Sequence, residues 1–283
     1  MTARPYRSVL YIPGSKERAL EKAKTLPVDA IIFDLEDAVA VEEKANARGL
    51  LAETLKNADY GSRAKIVRVN ALDTEWGHAD VETLKDVGAD ALLLPKVDSA
   101  EDVQALAELA PGVAIWAMME TPLGILNAAQ IAAHPALEGF VLGTNDLAKD
   151  LNTRARADRE PLLTSLQLCM LAARAHGIVA IDGVYNAFKD DDGLRAECEQ
   201  GRDMGFDGKT LIHPAQVETT NAAFAPSEDE VDLARRQIDA FEQAEANGQG
   251  VAVVDGKIVE NLHIVTAKAT LAKADAIAKL EIA

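Results

Sequence analysis

The 283-residue chain predicts a closed (β/α)8 TIM barrel with a C-terminal helical lid or arm. Three observations carry that prediction. Eight short apolar runs occur along the chain, most of them continuous rather than alternating, which is the pattern of parallel strands buried on both faces. Stretches with helical spacing lie between them, so strand and helix alternate. A barrel of this kind takes ~250 residues, which leaves a tail. An open doubly wound sheet is the competing architecture; it more often carries a GxGxxG turn after its first strand, and none is present.

The elements follow in order. Ser8–Ile12 (SVLYI) is the first run, and Ser15 of the Pro13-Gly14-Ser15 turn can cap a helix over Lys16–Thr25. Ala30–Leu35 precedes helical spacing over Val41–Leu55. Lys65–Val69 and Ala91–Pro95 come next, then a helix over Ser99–Leu109. Ala114–Met119 precedes Gly124–Ala133, and Phe140–Gly143 precedes Leu162–Ala175. Ile178–Ile181 precedes Leu194–Met204, and Lys209–Ile212 is the eighth run. A helix over Glu228–Ala246 then stops at Asn247-Gly248-Gln249-Gly250. A short apolar piece (VAVVDGKIV) and a last helix over Leu262–Leu280 close the chain. The predicted organisation is a barrel over residues 1–225 and a helical extension over residues 226–283.

The formal net charge of −17 argues against nucleic acid and against an anionic membrane surface, because both repel such a chain. It does not argue against a small anionic substrate, which responds to a local cluster. Cys169 and Cys198 show no metal spacing and read as reduced, structural residues in a cytoplasmic protein. No apolar run reaches the ~18 residues of a membrane span, and the N-terminus lacks a signal-peptide core.

Barrel chemistry sits at the C-terminal ends of the strands. Those ends carry Lys16, the Asp34-Leu35-Glu36-Asp37 stretch, Arg68 and Asn70, Lys96, Glu120, Asn145 and Asp146, Asp182, and His213. Glu120 and Asp146 follow neighbouring strands, and two carboxylates suit magnesium, which completes its shell with waters and substrate oxygens. The alternative is that each caps a helix or pairs with a lysine. Arg68 interrupts an apolar strand, so its guanidinium faces a ligand or a buried acid such as Glu36. Lys96 pairs with Glu36 or Asp37, or reaches substrate. Trp116 and Met118-Met119 read as core or wall, and His213 as a structural residue. No GxSxG or comparable nucleophile motif is present, which disfavours a covalent acyl-enzyme.

These residues sit within longer motifs: RSVLYIPGSKERALEKA, IIFDLEDAV, IVRVNALDT, LLLPKV, METPLGI, GTNDLAKD, DGVYNAFKDDDG and GKTLIHPAQV. Together, over nearly the whole chain, they resemble the CoA ester lyase family, which includes citrate lyase β-subunits, malyl-CoA and citramalyl-CoA lyases and malyl-CoA thioesterases. The resemblance implies magnesium (or manganese) held by Glu120 and Asp146, and Arg68 stabilising an enolate or oxo-acid oxygen. It implies that Tyr11, Lys16 and Lys22 hold an acyl-CoA, that Asn145 and Asp182 also touch substrate, and that the chain forms a homotrimer or hexamer.

One position departs from the family pattern. The lid stretch reads Gly256-Lys257-Ile258-Val259-Glu260, with Glu260 where an acid–base aspartate is expected, in its own or a neighbouring subunit. Two activities follow from the resemblance. The first expectation is cleavage of malyl-CoA or citramalyl-CoA to acetyl-CoA and an oxo acid, with Glu260 protonating the enolate. The alternative is hydrolysis of (3S)-malyl-CoA to malate and CoA, since a longer carboxylate can orient a water. A third reading is a citrate lyase β-subunit-like component acting on an acyl carrier protein.

Overall fold

The computed structural model of the chain describes residues 4–282. Eight parallel strands close into a barrel. They are β1 (Ser8–Pro13), β2 (Ala30–Asp34), β3 (Ala64–Arg68), β4 (Ala91–Leu94), β5 (Ala114–Met119), β6 (Leu137–Leu142), β7 (Val179–Asp182) and β8 (Gly208–Leu211). The last strand pairs back with the first through Ser8↔Lys209 and Leu10↔Leu211. Val9, Ile32, Ile66, Leu93, Trp116, Met118, Val141 and Ile181 fill the barrel interior. Leu10, Ile31, Phe33, Val67, Leu92 and Phe140 point the other way, into the layer beneath the helices. Burial on both faces is why the runs read as continuous.

The helices around the barrel are α1 (Glu17–Ala23), α2 (Lys44–Asn57), α3 (Gly77–Leu84), α4 (Ala100–Leu109), α5 (Pro122–Leu126), α6 (Ala128–Ala132), α7 (Thr144–Asp150), α8 (Leu163–His176), α9 (Asp191–Met204) and α10 (Val217–Phe224). Three depart from expectation for local reasons. Ser15 does not cap α1, because Lys16 holds the cap position and no side chain bonds there. The predicted Gly124–Ala133 helix is two helices, α5 and α6, broken at Asn127, whose amide donates to the carbonyl of Asp98 at 2.8 Å. The Val41–Leu55 stretch opens with a separate 3-10 turn, Val41–Glu43. Helices α3, α7 and α10 lie outside the helical stretches expected from the sequence; they have eight, seven and eight residues, only about two turns each.

Strand β6 begins three residues before the run Phe140–Gly143. Its register shifts between Ile115 and Trp116 on β5. Glu138 is the extra residue there, and Gly139 lies against the Trp116 ring, which a side chain would meet at 2.6 Å. The bulge breaks the apolar pattern that marks the rest of the strand.

A second compact unit begins at Ala225. Helix α11 (Glu228–Ala246) starts with a capping box in which Ser227 accepts from the Glu230 N–H and the Glu230 carboxylate accepts from the Ser227 N–H. Strands β9 (Ala252–Val254) and β10 (Lys257–Val259) form a hairpin. Its turn residues Asp255 and Gly256 have φ of +49° and +75°, the pair of left-handed residues that matches strand twist. Helix α12 (Asn261–Ile282) follows. Phe241, Ala244, Ala252, Val254, Val259 and Ile264 form the core of this unit. Among the described residues no helix is long and apolar enough to cross a membrane.

Candidate active site

A pocket of about 300 Å³ opens at the C-terminal ends of the strands. Tyr11, Arg68, Glu120, Asn145 and Asp146 line it, so five of the sequence-predicted site residues converge from β1, β3, β5 and the start of α7.

Glu120 immediately follows β5 and is only 2 % exposed. The backbone N–H of Lys96 donates to its Oε1 at 2.9 Å, with Lys96 itself left-handed at φ +51°. Gly143 completes the socket, because a Cβ there would lie 2.4 Å from Glu120 Oε2. Burial pushes the Glu120 carboxyl up to about 7; the Lys96 N–H and Arg68 oppose that, and the charge of Asp146 adds to it. Asp146 lies in the first turn of α7, half-buried, with Lys149 Nζ 3.6 Å away. A cation held by these residues would relieve that repulsion and favour the charged form of Glu120.

Among the described residues no three carboxylate, imidazole or thiolate groups gather as a metal cage. Two carboxylates facing one pocket nonetheless fit magnesium, which takes one or two protein carboxylates and fills its octahedron with waters and substrate oxygens. A structural zinc site needs four protein ligands and does not fit.

Arg68 is buried at the end of β3. Its Nε and Nη2 each donate to one oxygen of Asp34 at 2.7 Å, and Nη1 lies 2.9 Å from Glu36. The Glu36 pairing that the sequence left open is therefore present, and Asp34 joins it. Burial disfavours the guanidinium charge, but the Asp34 hydrogen bonds outweigh it and hold Arg68 firmly protonated. Burial pushes Glu36 up to about 7, against the pull of Arg68. The Tyr11 ring sits 5.0 Å from the guanidinium, and its hydroxyl donates to Met118 Sδ at 3.4 Å. Burial raises the Tyr11 phenol far above its ordinary range, with Arg68 opposing, so it stays neutral.

Except for Asn145, the other predicted residues lie outside the pocket. Asp182 is corrected: it is no open substrate contact. Its carboxylate is fully buried, receives Arg159 Nη1 at 2.8 Å on both oxygens, and lies 2.9 Å from Lys209 Nζ. Burial raises its pKa, but Lys209 and Arg159 pull it below the usual carboxylate value. Lys16 and Lys22 are exposed at α1 and do not line the pocket. Lys96 forms no salt bridge with Glu36 or Asp37; it contributes its backbone N–H instead. Asn145 exchanges hydrogen bonds with Asn186. Glu260 belongs to the second unit, exposed, with its N–H donating to His263 Nδ1 at 3.0 Å.

The sequence marks Asp34 as a strand-end residue but not as the partner of Arg68, and it does not single out Asn186, which pairs with the pocket residue Asn145. Asp34 had a signal, since a carboxylate ending a fully apolar strand demands a cation. Asn186 had none beyond its place in the DGVYNAF motif. His213 is structural as expected: its Nδ1 accepts from the Ala215 N–H, and its ring stacks on Phe188 at 4.5 Å. Cys169 and Cys198 are free and buried.

The HpcH/HpaI aldolase/citrate lyase model matches residues 7–214, which contain all eight strands and every pocket residue. The chain belongs to the HpcH/HpaI aldolase/citrate lyase family. Within it, the chain is 70% identical over 276 residues to a (3S)-malyl-CoA thioesterase of Cereibacter sphaeroides, covering 98% of this chain and 97% of that one. It is 37% identical over 284 residues to the citrate lyase subunit beta of Escherichia coli, covering 96% and 94%. A crystal structure of the family protein CitE from Mycobacterium tuberculosis, in complex with magnesium, acetoacetate and coenzyme A, superposes with a TM-score of 0.83 at 31% identity. That match covers 97% of this chain and 100% of the other.

Proposed function

We propose that this protein hydrolyses the thioester of a short 3-hydroxyacyl-CoA, (3S)-malyl-CoA foremost, to malate and CoA. The observation that carries this reading is the 70% identity, over 98% of the chain, to a (3S)-malyl-CoA thioesterase. The order of the two activities set out from the sequence is thereby reversed. Cleavage to acetyl-CoA and an oxo acid stands second, favoured by the relatedness to citrate lyase subunit beta.

Glu120 and Asp146 would hold a magnesium ion, and the CitE structure contains magnesium. When bound, magnesium supplies Lewis-acid polarisation of a substrate oxygen and a template for orientation. Arg68 does its work as a fixed positive charge: Asp34 and Glu36 set its plane, and its position in the pocket suits the oxygen on which charge develops. Tyr11 and Met118 form the apolar wall beside it. Water adds to the thioester carbonyl carbon, the carbon–sulfur bond breaks, and the sulfur leaves as CoA thiolate. Glu260 is proposed as the carboxylate that takes the water proton, on the sequence resemblance alone, in its own or a neighbouring subunit. Lys16 and Lys22 are retained from the same resemblance as contacts to the CoA portion. Homotrimer or hexamer assembly and a cytoplasmic location belong to this proposal too, with analytical ultracentrifugation as the check on assembly.

The deciding assay adds malyl-CoA and follows free thiol and glyoxylate together. Thiol without glyoxylate supports hydrolysis. Glyoxylate with acetyl-CoA and no thiol moves the assignment to the lyase. Neither product overturns both.

A further inference from the structure

A second cavity, of about 360 Å³, adjoins the first. The two share Thr144, Asn145 and Val184 in their walls. At that boundary the side chains of Asn145 and Asn186 form a reciprocal pair. Asn145 Nδ2 donates to Asn186 Oδ1 at 3.2 Å, and Asn186 Nδ2 donates to Asn145 Oδ1 at 2.8 Å. Each amide thus restrains the other's orientation across the border between the cavities.

The loops on either side are anchored. Arg159 is left-handed at φ +51° and buried, tied to Asp182 at the end of β7 and, through Nε, to Gln200 at 2.7 Å. Gln200 donates back to the carbonyl of Asp158 at 2.8 Å. This fixes the chain that leads from α7 to α8, so the Asn145–Asn186 pair joins two held walls. Beyond it, the second cavity carries Arg154, an exposed arginine that no salt bridge engages among the described residues. Arg156, by contrast, is met by Asp158 at 2.8 Å.

Asn145 directly precedes Asp146. A substrate whose hydroxy-acid end lies against the Glu120–Asp146 pair therefore presents that end to the Asn145–Asn186 boundary. We propose that this amide pair is a specificity wall, that Asn186 sets its limit, and that the cavity beyond suits a substituent ending in a carboxylate. The inference rests on the reading of the substrate as a 3-hydroxyacyl thioester. Closed, the wall admits the hydrogen that malyl-CoA carries on its hydroxyl-bearing carbon. Opened, it gives the carboxymethyl arm that citryl-CoA carries there a path toward Arg154.

The test compares kcat/KM for citryl-CoA and malyl-CoA in the full-length enzyme and in Asn186→Ala and Asn186→Ser, each confirmed folded by its thermal unfolding. The citryl-to-malyl ratio should rise roughly tenfold in the variants, the scale on which a pocket discriminates one small group. Adding Arg154→Ala to Asn186→Ala should remove most of that gain. Titration calorimetry with oxaloacetate and glyoxylate, which differ by the same arm, should show the same change without turnover. An unchanged ratio in a folded, active variant overturns the wall and leaves the thioester reading intact. No product from either ester in the wild type removes the reading and the wall together.

Discussion

Asp34 holds Arg68 with both carboxylate oxygens at 2.7 Å, and the buried pair lines the pocket at the strand ends. A guanidinium alone at this depth is costly, and a carboxylate alone equally so. Together they hold a protonated guanidinium at the strand ends within a pair that carries no net charge. Asp34→Asn keeps the shape and removes the compensating charge. We expect kcat/KM to fall by about two orders of magnitude, which is ~2.7 kcal/mol of lost transition-state stabilisation. Asp34→Ala should also lower stability by ~3 kcal/mol, the scale for breaking a buried pair, as read from urea unfolding.

The socket around Glu120 tolerates no side chain at position 143. A Cβ there would meet Glu120 Oε2 at 2.4 Å. Gly143→Ala should displace the carboxylate and weaken magnesium binding by at least about tenfold, or ~1.4 kcal/mol, measured by calorimetry on the folded protein. Wild-type affinity in this variant would show that Glu120 does not hold the ion.

Asp146→Ala removes the second carboxylate of the pair from a half-buried position. Magnesium-dependent turnover should disappear while the unfolding midpoint changes little. Full turnover in this variant, or in wild-type enzyme stripped with a chelator, would remove the metal assignment.

The buried Asp182–Lys209 pair, 2.9 Å apart, gives stability a defined pH window. Asp182 titrates below its ordinary 3.8, because Lys209 and Arg159 overcome the cost of burial. Its stabilisation is complete above the unfolded value and is lost as pH falls through the folded one. Lys209 titrates above its ordinary 10.5, since Asp182 and Glu197 overcome burial in turn. Its stabilisation is complete below that value and is lost as pH rises through the folded one. Urea midpoints from this pair should therefore hold between about pH 4 and pH 10 and fall outside. Asp182→Asn should lower stability across that plateau by ~3–5 kcal/mol and flatten the acid limb. An acid limb identical to wild type would assign acid unfolding to other carboxylates.

How much was legible varies by residue. The Glu120 and Asp146 positions followed from strand ends alone, because each ends a run whose apolar burial is unmistakable. Arg68 was legible as an anomaly, and its partners were only half so: Glu36 was named, Asp34 was not. Asp182 was misread because its place at a strand end is shared by residues that face the pocket and residues that turn into the layer beneath the helices. Strand alternation separates the two: Val179 and Ile181 face the barrel interior, so Asp182 turns outward with Ala180, whereas Asp34 and Arg68 fall in phase with the interior residues Ile32 and Ile66. Gly124–Ala133 was read as one helix because apolar spacing persists across Asn127, while the break depends on a hydrogen bond to Asp98, 29 residues earlier in the chain.

The sequence by itself determined the barrel, the order of its strands and the set of polar residues at its mouth. These follow from periodicity and burial, which are properties of short segments and of right-handed βα connection. Only the tertiary structure decided which of those polar groups meet each other. It paired Arg68 with Asp34, buried Asp182 against Lys209, and set Asn145 against Asn186. Such pairings depend on which side chains, distant in sequence, share one low-dielectric space, where an unpartnered charge costs far more than in water.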